Sequence, residues 1–213
     1  VDNASSGENT FKQITKENIT SVLDPIGFTM SHVGLADVVI FVEGETELSV
    51  LKEFLSKYGD IEKAIAENRV IFHNLGGDNI RHAEAASLYK ITLKPILWID
   101  SELTNKDQWD KDNTWRNEKY TIMKDKLPLF MDVDHRCIEN LFSKNALAEY
   151  YGITKKQLES FGSYDKLDHF IDGLVKAEVK IKNNRNSSKK QIRGRGIANL
   201  MTEEEVKQIP SIN

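Results

Sequence analysis

A single cysteine, Cys137, stands in 213 residues, so neither an internal disulfide framework nor a multi-cysteine zinc site can be built within one chain. Proline is scarce at 4 residues and glycine modest at 12, which excludes collagen-like and low-complexity character. No apolar run approaches the ~18 residues of a membrane-spanning helix, and a secretory hydrophobic region is missing as well. The expectation is a cytoplasmic protein with no membrane contact. A Gly-x-x-x-x-Gly-Lys-Ser/Thr loop is also lacking, so nucleotide hydrolysis cannot be assigned to these residues. The five histidines, His32, His73, His82, His135 and His169, have no ligand spacing and read as surface or packing residues. What is present is enough for a real core: 39% hydrophobic and 29% charged residues, the length of one elaborated domain.

Charge is unevenly placed. Residues 176–195 carry eight bases against Glu178 alone, a net of +7 in a chain whose total is −4. A basic segment on an acidic body suits a protein that meets a polyanion on one face. A solvated loop is the plain alternative, and 183–188 reads as one. Val1 in place of Met, followed by the polar run 2–10, leads to the expectation of an excerpt from a longer protein.

Ala36–Val42 is apolar at consecutive positions and rich in β-branched residues, the pattern of a strand covered on both faces. Leu48, Leu51, Phe54, Leu55 and Tyr58 then recur at helical spacing, with Thr46 as the expected N-cap and Gly59 as the stop. Further strands are expected at 70–75, 95–99 and 129–133. Helices are expected at 80–89, 118–127, 138–151, 155–161, 164–176 and 197–201, and 104–117 reads as a polar insertion. The β–α–β–α–β order predicts an α/β fold, a mostly parallel sheet flanked by helices with a helical C-terminal elaboration. Ligands gather at the carboxyl ends of such strands. Glu43, Gly76-Gly77 and Asp100 all fall there.

Two acidic groups share that edge. Glu43 ends the first strand and Glu47 follows by one helical turn; Asp100 ends another strand, with Glu102 two residues on. Four carboxylates in one crevice push one another toward protonation, and a divalent cation is the natural remedy. All-oxygen ligands select Mg²⁺ or Mn²⁺, as one or two ions. Asp132 and Asp134 form a second Asp-x-Asp, but they precede a helix and read as non-ligands. Gly76-Gly77 reads as a tight turn rather than a phosphate cradle. Trp98 reads as core, Trp109 and Trp115 as cover for the sheet, and Cys137 as an inert packing thiol.

The run VVIFVEGETELSVLKEFL (38–55), with LGGDNI (75–80) and ILWIDSE (96–102), resembles the TOPRIM domain, and more narrowly the TOPRIM nuclease half of the OLD-family (overcoming lysogenization defect) ATP-dependent endonucleases. RCIENLF (136–142) is similar to the Arg-x-Ile-Glu-Asn block of those nucleases. ITSVLDPIGFTMSHVGLAD (19–37) looks like the segment leading out of their ABC-type ATPase half. KKQIRGRGIANLM (189–201) lies where the family places a catalytic lysine. The resemblance implies a lead-in at 1–35, a TOPRIM core at 36–135 and a helical elaboration at 136–213. It implies metal ligation by Glu43, Glu47, Asp100 and Glu102, with Glu139 in support; Glu47 and Glu102 stand where the family usually has aspartate. Lys189, Lys190, Arg193 and Arg195 compete for the lysine role and for contact with nucleic acid, and Lys190 is the choice. The implied activity is Mg²⁺- or Mn²⁺-dependent hydrolysis of phosphodiester bonds in DNA, as the effector of an ATPase-coupled antiphage system. Its partners would be DNA, an ABC-type ATPase half or subunit, and a further copy of the chain in a homo-oligomer. The alternative is a degenerate TOPRIM module that binds nucleic acid or a protein without cutting.

Overall fold

A computed structural model describes residues 36–108, 115–183 and 189–212. The expectations for the lead-in 1–35, for Trp109 and for most of the 183–188 loop lie outside the described residues. Ala36–Asn213 is a compact unit of its own.

Four strands, β1 (Val38–Val42), β2 (Val70–Asn74), β3 (Pro95–Trp98) and β4 (Leu129–Phe130), form one all-parallel sheet in the order β2-β1-β3-β4. The central position of β1 explains its unbroken apolar run: Val39, Phe41 and Val42 are fully buried, with neighbours on both edges and both faces. Val42 sits opposite Trp98 in register, so the chain leaves β1 and β3 side by side. β4 is two residues long rather than five, because Asp132 turns back to bond its own loop.

The helices are α1 (Glu45–Leu55), α2 (Gly59–Ala66), α3 (Asp78–His82), α4 (Ala85–Ile91), α5 (Trp115–Met123), α6 (Lys144–Tyr151), α7 (Leu167–Lys176), α8 (Lys190–Leu200) and α9 (Glu203–Lys207). Several differ from expectation for local reasons. Gly44, not Thr46, is the N-cap of α1, which draws Thr46 and Glu47 into the first turn. Gly59 opens α2 instead of ending α1. The expected 80–89 helix breaks at Ala83–Glu84, where the backbone is extended. The expected 138–151 helix is a 3-10 turn, Ile138–Leu141, and then α6, whose N-cap Ser143 accepts from the Ala146 N–H at 3.1 Å. Lys155–Leu158 is likewise a 3-10 turn, while α7 carries Leu167 and Ile171 buried on one face.

The basic segment holds the largest departure. Its C-terminal part is not a prelude to a short helix at 197–201 but the first two turns of α8. α8 lies against α1 and α6, and two glycines permit the approach. A Cβ on Gly194 would stand 3.1 Å from Val50 Cγ2, and one on Gly196 would stand 2.9 Å from the Tyr150 ring. The core continues from the sheet through Val50, Leu51 and Phe54 to Ile138, Leu147, Tyr151 and Ile197. No helix of the described residues is long and apolar enough to cross a membrane.

Candidate metal centre

The carboxyl edge of the sheet gathers acids from four separate elements. Glu43 follows β1, Glu47 lies in the first turn of α1, Asp100 lies two residues past β3, and Glu139 sits in the 3-10 turn. Gly44 makes room: a Cβ there would fall 2.8 Å from Glu47 Oε2, so the Glu47 carboxylate folds over a bare backbone. Asp100 Oδ1 accepts the Ile138 N–H at 3.1 Å, which fastens the 3-10 turn, and with it Glu139, onto the strand end. Ser101 Oγ strengthens the same seam by donating to the His135 carbonyl at 2.6 Å.

Electrostatics bind the acids into one group. Burial raises the Asp100 pKa well above the usual range, and the Glu47, Glu139 and Glu43 carboxylates raise it further. Glu47 is raised by burial and by Glu139. Burial also raises Glu43, against the opposing pull of Arg116. Lys190, the first residue of α8, places its ammonium 2.6 Å from Glu139 Oε1. Burial would lower that lysine, yet the Glu139 and Glu47 carboxylates prevail and hold it charged.

One cation is too little for this set. Glu43 Oε2 and Glu139 Oε2 are buried without a hydrogen-bond partner among the described residues, and Glu139 Oε1 has the Lys190 ion pair at 2.6 Å. Buried acceptor oxygens left without donors are costly. Buried oxygen donors crowded together are what a hard divalent cation takes, so the carboxylates present could hold Mg²⁺ or Mn²⁺. The tightest grouping is Asp100, Cys137 and Glu139, whose donor atoms all lie within 4.8 Å of one another. A cleft of about 260 Å³ opens beside it, its wall including Glu102, Arg136, Glu139 and Lys190.

The expected residues thus divide. Asp100 and Glu139 stand within ligand spacing of each other, Lys190 pairs with Glu139, and Glu43 and Glu47 lie within electrostatic reach of Asp100. Glu102 reaches the edge of the group and presses on Glu43, but its carboxylate is bonded at 2.5 Å to Arg136, and its backbone takes φ +56. Arg193 points inward and is 5% exposed, paired with Asp168, while Arg195 bonds Glu53 at 2.8 Å on the outer face of α1. Lys189 is exposed beside Lys190. The helical turn therefore sends the four bases to different places.

Sequence reasoning missed Arg116. Its Nη2 bonds Glu43 Oε1 at 2.5 Å, its Nε donates to the Asp100 carbonyl at 2.9 Å, and its guanidinium lies 4.3 Å over the Trp115 ring. One side chain from the polar insertion thereby ties the two strand ends together. Cys137, read from the sequence as an inert packing thiol, stands within 4.8 Å of the Asp100 and Glu139 donor atoms; burial, Glu139 and Asp100 push its thiol pKa far up.

The remaining motifs take structural parts. Asp132 accepts from His135 Nδ1 at 2.9 Å and from Ser211 Oγ at 3.0 Å, and Asp134 pairs with Lys106. Gly76 and Gly77 form a positive-φ turn, and the Gly77 N–H is spent on the Glu43 carbonyl at 2.8 Å. His73 meets Phe41 edge-on, and burial lowers its pKa to about 4. Comparison of the chain with protein-family models, with curated proteins and with solved structures finds no match in any of the three.

Proposed function

We propose that residues 36–213 are a TOPRIM-type nuclease domain that hydrolyses phosphodiester bonds in DNA with Mg²⁺ or Mn²⁺. The observation that carries this reading is the meeting of Glu43, Glu47, Asp100 and Glu139, from four elements, beside the Lys190 ammonium at the carboxyl edge of a parallel sheet. Those four carboxylates would hold the cation or cations, which supply Lewis-acid activation of the phosphate and of water. Glu43 is fixed in direction by Arg116, and Asp100 by the Ile138 N–H. Lys190 stands on the wall of the cleft, where a charged ammonium offsets the negative charge that builds on a phosphate under attack. Lys189, exposed one residue earlier, would contact the backbone of the nucleic acid without reading its sequence. The coupling to an ABC-type ATPase and the role in antiphage defence rest on the resemblance to OLD-family nucleases.

A second reading is a TOPRIM-like module that binds nucleic acid or a protein without cleavage. Arg116 favours it by occupying one oxygen of Glu43. Supercoiled plasmid incubated with Mg²⁺ or Mn²⁺, with and without chelator, separates the two. Nicking by the parent that vanishes in chelator and in Glu43→Ala and Asp100→Ala is the expected result. Salt-sensitive binding without nicking selects the binding module.

A further inference from the structure

Cys137 stands apart from the hard-cation chemistry above. It caps the 3-10 turn, and its neighbours leave one side of the sulfur open to the acids. Asn140 Oδ1 takes the Cys137 backbone N–H at 3.1 Å and lies 3.2 Å from Sγ. On its other side the sulfur meets Asp100 and Glu139, with all three donor atoms within 4.8 Å of one another. The Glu139 side chain is 6% exposed; its Oε1 faces Lys190, and its Oε2 has no hydrogen-bond partner among the described residues. An unpartnered buried carboxylate oxygen beside a sulfur and a second carboxylate describes an S/O/O ligand set, and thiolate shifts preference from Mg²⁺ toward zinc-like ions.

The spacing suits such an ion. Zn–S and Zn–O bonds of roughly 2.3 and 2.1 Å set tetrahedral donors about 3.6 Å apart, so donors already within 4.8 Å close on it by movements of about 1 Å. The fourth position falls to water. A zinc-class ion takes the sulfur as thiolate, and the proton it displaces passes to solvent.

We propose that Cys137, Asp100 and Glu139 form a sulfur-bearing site for a zinc-class divalent cation, overlapping the Mg²⁺/Mn²⁺ centre and silencing it when filled. The silencing rests on the nuclease reading, because Asp100 and Glu139 cannot serve both ions at once; the site itself does not. Filling it would link cleavage to the balance between zinc-class and magnesium-class ions around the protein.

Because Cys137 is the sole cysteine, any thiolate-to-metal band must come from it. The full chain titrated with Cd²⁺ should develop the ultraviolet cadmium–thiolate absorption. Zn²⁺ should erase that band, and Mg²⁺ should not. Cys137→Ser keeps an oxygen cap on the turn, and should melt like the parent, lose the band and bind Zn²⁺ at least ~10-fold more weakly. Independently of that variant, Zn²⁺ should slow alkylation of Cys137 in the parent but not in Asp100→Asn. No cadmium band in the parent, or alkylation indifferent to Zn²⁺, overturns the site. In Mg²⁺-driven plasmid nicking, with each protein referred to its own rate without Zn²⁺, added Zn²⁺ should inhibit the parent by a larger fraction than Cys137→Ser; equal fractional inhibition of both overturns the silencing. A cadmium band without any nicking keeps the site and removes the nuclease reading. Nicking without a band does the reverse.

Discussion

Replacing Asp100 by asparagine should make the metal-free protein more stable while disabling the proposed metal centre. Asp100 is 8% exposed, and its Oδ1 holds the Ile138 N–H, a bond that the asparagine oxygen can keep. What the change removes is charge. A pair of carboxylates separated by 4.8 Å, the limit of the Asp100–Glu139 donor spacing, repels by ~3.5 kcal/mol at an effective dielectric of about 20. Partial protonation and Lys190 offset much of that, leaving a net gain of about 1–3 kcal/mol. The new amide nitrogen can also donate to the Glu139 oxygen that lacks a partner. For a chain of this size the gain corresponds to a rise in Tm of about 2–10 °C. Thermal melts in chelator and in excess Mn²⁺ read it directly. Asp100→Asn should melt above the parent in chelator, and Mn²⁺ should lift the parent and leave the variant unmoved. A variant that melts below the parent without metal, or an equal Mn²⁺ shift in both, refutes the picture of a charge-strained site awaiting a cation.

Two further outcomes follow from the same geometry. Gly44→Ala forces the Glu47 carboxylate away from its place over the backbone, so calorimetry should show weakened Mn²⁺ binding with a Tm within a few degrees of the parent; unchanged affinity would exclude Glu47 from the centre. For pH, Glu43, Glu47 and Asp100 all have folded pKa values raised above the unfolded carboxylate range near 4. Between those limits the native state binds more protons than the unfolded one, so metal-free stability is greater at the acid end and falls as pH rises through the folded values. Melts from about pH 5 to about pH 8 should show this decline in chelator, and a shallower one in Asp100→Asn; identical slopes would remove Asp100 as its source.

The parts of the fold that announce themselves in the sequence are those whose pattern is set by burial alone. β1 is covered on all sides, and its apolar run says so without help from neighbours. Glu43 and Asp100 were legible for the same reason, since a carboxylate that ends a buried run must sit at the sheet edge. Where glycine intervenes, local reading loses its footing. Gly59 looks like a stop and is a start, and Arg193-Gly194-Arg195-Gly196 looks like a loop although α8 runs through it. Those glycines answer to Val50 and Tyr150, which are distant in the chain. Arg116 had no periodic signal at all: its place is fixed by Glu43 and the Asp100 carbonyl across 73 and 16 residues of separation. Cys137 looked inert because Asp100 is brought to it only by the docking of the 3-10 turn.

The seating of α8 against α1 through Gly194 has a bearing on how the protein is made. The acids from Glu43 to Glu139 leave the ribosome well before Lys190, so a growing chain displays negative charge without its lysine counterweight. Synthesis of α8, and its insertion beside Val50, would complete the charge balance at the sheet edge. A copy cut short before Lys190 would then carry those acids without their ion-pair partner.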